Sequence, residues 1–203
     1  MTREEALTLL KENLSNQNLI KHCLAVEAIM RALARHLAER SEAERRMKMS
    51  RMAHRPGEDV EKWGLAGLLH DIDYDRVKND LSQHSLVGAK MLEDFGLEKD
   101  ICQAVKVHNE AHGIPAQTLM EKALFVADPL TGLIVAATLV LPSKKLADLT
   151  VENVLNRFGE KAFARGANRE IIRKCEELLN LKLEEFVEVG LKAMQGVATE
   201  LGL

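Results

Sequence analysis

Apolar residues along the 203-residue chain recur at three- and four-residue spacing almost throughout, the period of helices buried on one face. Leu19, Val26, Ile29, Met30, Leu33 and Leu37 mark a long amphipathic helix, with Asn16 or Asn18 as its cap. Ahead of it, Thr2 and Glu5 form a capping-box pattern before a short helix that ends near Leu14. The run 41–53 is rich in Arg, Glu and Met and predicts an exposed continuation, which His54-Arg55-Pro56-Gly57 ends. A third helix from near Asp59 carries Trp63, Leu65, Ala66, Leu68 and Leu69 up to His70-Asp71, and Ile72-Asp73-Tyr74-Asp75 reads as a turn. Ser82 is placed to cap the next helix and Gly96 to close it after Phe95. Helical patterns then cover 98–109 and 119–128, where Pro129 bends or breaks the chain before 130–140. After a Pro142-Ser143-Lys144-Lys145 loop, three more span 151–158, 168–179 and 183–201. No strand pair, internal repeat or low-complexity linker is visible. The expected class is all-α, a single domain over 1–203 with a core at about 18–141 and a C-terminal helical extension at about 142–203.

Composition sharpens this picture. Aromatic residues are 3% of the chain, so Leu, Ala, Val, Ile and Met must fill the core, a palette that favours helices over sheets. A hydrophobic share of 46% against 29% charged argues against disorder. The net charge of −3 leaves no basic footprint, so no nucleic-acid partner is expected, although a local basic pocket for a phosphate ester is compatible with it. Cys23, Cys102 and Cys175 are far apart and read as reduced, buried thiols. The first residues lack the apolar core of a signal peptide, and the most apolar stretch, 130–141, is too short to span a bilayer. A cytoplasmic location without membrane contact is the expectation.

Ionisable residues on apolar helix faces carry the candidate chemistry. His22 lies in line with Val26, Ile29 and Leu33; His84 shares a face with Val87, Gly88 and Met91; His108 follows Ile101, Ala104 and Val105; Asp128 follows Leu124 and Phe125. A lone histidine so placed is more often a hydrogen-bonded core residue, and Asp128 before Pro129 could cap a following helix. The whole set is harder to explain that way, because buried polar groups are costly unless paired or coordinated. His70 and Asp71 diverge by about 100° on a helix, yet at a helix end both can converge on one ion. Imidazole with carboxylate suits Mn²⁺, Fe²⁺, Co²⁺, Ni²⁺ or Zn²⁺, with Mg²⁺ as a further candidate.

The order His22, His70-Asp71, Asp128 resembles the HD-domain superfamily of metal-dependent phosphohydrolases. Gly67-Leu68-Leu69-His70-Asp71-Ile72 is similar to that family's metal-bearing segment, and His84-Ser85-Leu86-Val87-Gly88-Ala89 to its downstream His-x-x-x-Gly-Ala helix. The resemblance, closest to the His-Asp-Ile-Gly branch, covers about 22–133 and implies an HD-domain helical bundle around a metal cleft. It implies His22, His70, Asp71 and Asp128 as primary ligands, with His84 and His108 as the extra histidines of members that hold two metals. The chain departs from the branch at Asp73, which stands where many relatives have glycine and either supports the site or shapes the turn. The Gly-Tyr-Pro signature of the cyclic-dinucleotide-cleaving branch is absent.

Such a centre would activate water for attack on phosphorus. With two ions Asp71 would bridge them; with one, His84 and His108 would bind phosphate or donate a proton. Lys78, Lys144, Lys145, Arg165 and Arg169 are candidate phosphate-binding charges, although each such residue is more often a solvated surface charge. Asn109 and Glu110 face the cleft mouth or cap a helix end, His112 stands at the rim, and His36 and His54 read as exposed. A cluster of Met47, Met49 and Met52 with Arg45, Arg46 and Arg51 reads as a solvated edge or a partner face. The expected substrate is a nucleotide or another small phosphate ester, and homodimerisation is left open. The rival readings are a metal- or nucleotide-sensing module with little turnover, and a di-iron oxygenase.

Overall fold

The computed structural model describes residues 1–48 and 56–203, with side chains described for 1–43 and 60–203. All regular elements among them are helical, as the sequence predicts. The first helix, α1 (Arg3–Asn13), begins at the predicted capping box: Glu5 N–H donates to Thr2 Oγ1 and Thr2 N–H donates to Glu5. Asn16, rather than Asn18, caps α2 (Gln17–Lys48) by accepting from the Asn18 amide at 2.9 Å. The next helix, α3 (Pro56–Leu69), opens on Pro56 instead of starting near Asp59. A proline at the first helical position has no amide to waste and a φ already suited to the helix. The side chains of Arg45, Arg46 and Met47, and the residues Met49, Arg51, Met52 and His54, lie outside the described residues.

A short turn of helix, α4 (Tyr74–Val77), and a 3₁₀ turn (Leu81–Gln83) follow the His70-Asp71 segment. Then come α5 (Leu86–Asp94) and α6 (Lys99–Val107). Ser82 does not cap α5 as the sequence suggested; its amide and hydroxyl turn to Asp80, and Ser85 stands at the helix start. Gly96, at φ +76°, does close α5, with the Leu97 amide reaching back to the Leu92 carbonyl. The longest apolar helix, α7 (Leu119–Leu139), runs straight through Pro129. One lost backbone hydrogen bond is outweighed here by burial along both sides of the proline, with Ala127, Leu130, Leu133 and Ile134 all in the core. By length and hydropathy α7 is sufficient to cross a membrane, and more than half of its apolar window is buried inside the protein.

The last third is more divided than its periodicity suggests. It comprises α8 (Val151–Gly159), α9 (Arg169–Arg173), α10 (Cys175–Leu178), α11 (Leu183–Gly196) and α12 (Ala198–Leu201). The core is one continuous cluster centred on α2, which packs against α3, α7 and α11. Gly67 sets the distance between α2 and α3: a Cβ there would stand 3.0 Å from the backbone of Glu27. All three cysteines are free and buried. His36 is not simply exposed but pairs with Glu185 of α11 at 2.8 Å.

Candidate metal centre

Six side chains from five segments meet at the bottom of a cleft. His22 comes from the second turn of α2, His70 and Asp71 from the end of α3, His84 from the loop before α5, His108 from the end of α6 and Asp128 from the middle of α7. Asp71 is at their centre. Its Oδ1 lies 3.4, 3.2 and 3.6 Å from the Nε2 atoms of His70, His84 and His108, and its Oδ2 lies 3.6 Å from His22 Nε2. His22 Nε2 is also 3.0 Å from Asp128 Oδ1 and 3.1 Å from His70 Nε2.

The outer nitrogens are all occupied. Nδ1 of His70 donates to the Gly67 carbonyl at 2.8 Å, and that of His108 to the Val105 carbonyl at 2.6 Å, each one turn back in its own helix. His22 Nδ1 lies 2.9 Å from Thr131 Oγ1, whose proton goes to the Asp128 carbonyl, so the hydroxyl accepts from the ring. His84 Nδ1 donates to Asp73 Oδ1 at 2.8 Å. With every Nδ1 committed as a donor, all four Nε2 atoms are turned toward Asp71 and Asp128, and each ring in its neutral form would present a lone pair there, which is how proteins orient histidines for a metal.

Separations support the same use. An ion held about 2.0–2.2 Å from nitrogen and oxygen ligands places neighbouring ligand atoms about 3.0–3.6 Å apart. The contacts here run from 3.0 to 3.8 Å. Three overlapping triads could each hold an ion: His22, His70 and Asp71; His70, His108 and Asp128; Asp71, His84 and His108. The set is nitrogen and carboxylate without thiolate, which suits a borderline divalent cation.

Burial and the two carboxylates pull the imidazoles of the site in opposite directions. Burial holds His70 down to about 4 despite the carboxylates beside it. Burial works the same way at His84, yet Asp71 and Asp73 lift it to about 10. His22 is likewise raised against burial by Asp128 and Asp71. Burial would raise Asp71, but the imidazoles around it hold it well below the usual carboxylate range.

Asp73 supports the site instead of only shaping the turn. Besides His84, its buried carboxylate accepts the amides of Ser85 and Gly88 at 2.8 and 2.7 Å. The Gly88 Cα faces that carboxylate, and a Cβ would come within 3.1 Å of Asp73 Cγ. Ser85 adopts φ +72°, a conformation rare outside glycine, and its hydroxyl is tied to the Lys106 carbonyl. The His84 carbonyl in turn accepts from His112 Nε2 at 2.6 Å and Asn109 Nδ2 at 3.3 Å. His84 is therefore held at both its ring and its backbone.

The cleft above these groups has a volume of about 330 Å³. His22, His84, His108 and Asp128 form its floor, Phe125, Pro129 and Ile171 an apolar wall, and Asn109, Glu110 and Asn168 a polar rim. Phe125, Asn168 and Ile171 have no signature in the sequence, because the docking of the 160–174 stretch onto α7 is a tertiary event without periodicity. Lys78, Lys144, Lys145 and Arg165 are not brought to the cleft: all four are exposed and none lines it. Arg169 is engaged elsewhere, its guanidinium contacting the carbonyls of Arg157, Phe158, Glu160, Phe163, Ala164 and Ala167.

Comparison with known proteins gives the same architecture a family. Ribonuclease Y of Nitratidesulfovibrio vulgaris is 30% identical over 161 residues, which are 77% of this chain and 27% of that relative. Ribonuclease Y of Lawsonia intracellularis is 32% identical over 123 residues, 59% of this chain and 24% of the relative. An uncharacterized protein of Methanocaldococcus jannaschii is 32% identical over 124 residues, 61% of this chain and 63% of the relative. The chain thus spans about a quarter of the length of the Ribonuclease Y proteins it matches. No solved structure gave a significant match. Residues 19–133, more than half of the chain, match the family model of the HD domain, and all six inward-facing groups fall inside that span. The chain belongs to the HD-domain superfamily of metal-dependent phosphohydrolases.

Proposed function

We propose that this protein hydrolyses a small phosphate ester, such as a nucleotide, at a centre of one or two divalent cations held by His22, His70, Asp71, His84, His108 and Asp128. The observation that carries this is the convergence of four Nε2 atoms on Asp71 while every Nδ1 is committed elsewhere. When bound, a divalent cation there lowers the pKa of coordinated water and polarises a phosphoryl oxygen.

The chain's own groups do the rest. His22, His70, Asp71 and Asp128 would hold one ion, and Asp71 offers its second oxygen toward the side where His84 and His108 would hold another. With a single ion, His84 lines the cleft with its Nε2 turned inward and its Nδ1 held by Asp73, placed to hand a proton to the leaving oxygen. Asp73 keeps the ring oriented for either task.

Two relatives are ribonucleases by name. The cleft favours a smaller substrate here: at about 330 Å³ it lies at the low end for small-molecule sites, and the chain's own Gly166–Ile171 stretch lines it. A metal-resolved screen on nucleotides, a chromogenic diester and single-stranded RNA tests this, with Asp71→Ala as control. Metal-dependent turnover of the small esters that falls to background in Asp71→Ala is expected. Activity that survives the substitution would sink the assignment, and cleavage of RNA alone would reverse the substrate size. An iron-loaded protein whose visible absorption responds to O₂ would move the reading to oxygen chemistry.

A further inference from the structure

We propose that the cleft takes an ester with one phosphoryl group and a hydrogen-bond-donating remainder, and that the Glu110 carboxylate turns away substrates with a second phosphate. This rests on the phosphohydrolase reading above and narrows its substrate class.

The inference comes from charge and from the acceptors left free. Among the described residues, no lysine or arginine lines the cleft. With two ions bound, a phosphoryl group held by the metal centre would be balanced there, because two divalent ions against Asp71 and Asp128 leave about two positive charges. Anything bound beyond it meets Glu110, an anion at the polar rim. A second phosphate would therefore enter without a counter-charge.

A hydroxyl or amino group finds the opposite. The side-chain oxygen of Asn168 is taken by the amides of Glu170 and Ile171, and that of Asn109 by the amide of Ala111. Glu110 Oε1 accepts from Asn168 Nδ2 at 3.1 Å, while no contact occupies Oε2 among the described residues. Glu110 Oε2 is thus the rim's open carboxylate oxygen. Phe125 and Ile171 offer an apolar surface on the other side. Lys174, whose ammonium stands 5.5 Å from the centre of the Phe125 ring, is exposed and not part of the lining.

Gly132 supplies an independent handle. It lies one turn beyond Asp128 on α7 and lines the cleft, and a Cβ built on it meets no atom within 4 Å. A Cβ there stands in open space, so a larger side chain would compete with a ligand for the cleft.

The test uses the Mn²⁺-loaded full chain and calorimetric titration with three phosphonates whose carbon–phosphorus bond resists hydrolysis. These are propylphosphonate, 3-hydroxypropylphosphonate and 1,3-propanediphosphonate. The hydroxylated probe should bind about threefold more tightly than propylphosphonate, and the diphosphonate about tenfold more weakly than the hydroxylated one. In Glu110→Gln that gap should close to within about threefold, and in Glu110→Lys the order should reverse. Gly132→Leu should abolish binding of all three with the metal content unchanged. Equal or tighter binding of the diphosphonate to the wild type overturns the proposal, as does a gap that Glu110→Gln leaves intact. Diphosphonate binding that is lost in Lys174→Met would assign selectivity to the lysine and equally overturn it. Retained binding in Gly132→Leu would place the phosphonate outside the cleft. If propylphosphonate itself fails to bind the metal-loaded chain, the phosphohydrolase reading falls and the proposal with it, a result distinct from a failed preference.

Discussion

A single carboxylate governs the least regular part of the site. Asp73 holds His84 Nδ1, the Ser85 amide and the Gly88 amide at once. An asparagine keeps its shape but offers one oxygen for three donors, so Asp73→Asn should weaken metal affinity about 10–100-fold. Metal content after dialysis and a calorimetric titration would check this; unchanged affinity would show that His84 needs no such support. At this scale the sequence was legible wherever a polar residue interrupted an apolar stripe, since His22, His108 and Asp128 sit on inward helix faces in the fold. It was silent on cationic side chains. Lys78, Lys144, Lys145 and Arg165 all point to solvent, because charge in a sequence says nothing about direction. It also did not reveal Glu110 and Asn168 as partners, whose contact spans 58 residues and two loops.

Helices with strong periodicity were readable and their interruptions were not. Pro129 predicts a bend or break, yet α7 continues, because its neighbours on both sides are buried in the same core. The pattern over 168–179 predicts one helix, where the chain makes two short ones around Lys174. The stretch between α8 and α9 gains its shape from Arg169, whose guanidinium gathers carbonyls that no helix satisfies. Removing it leaves several partly buried acceptors without a donor, so Arg169→Met should cost about 2 kcal/mol. Urea unfolding measures that cost, and hydrogen exchange should show the loss of protection concentrated in residues 157–173. A uniform loss across α2 and α7 would mean that the arginine supports the whole fold instead of this stretch.

Across the whole molecule, ion binding and folding are linked. The ligands come from α2, α3, α6, α7 and the loop before α5, so the unfolded chain presents no assembled site. At a free-ion concentration of about a hundred times Kd, loading should stabilise the protein by about 2.7 kcal/mol. For a chain of this size that corresponds to a chelator-induced fall in Tm of about 5–11 °C. A thermal scan with and without chelator measures it, and Asp71→Ala should erase the difference. The described ligands all lie between His22 and Asp128, whereas the 160–174 stretch that completes the cleft carries none of them and is secured through Arg169, apolar packing and the Glu110–Asn168 hydrogen bond. Ion retention and substrate admission are consequently assigned to different parts of the molecule. A substitution in that stretch should therefore alter what the cleft admits while leaving every described ligand in place.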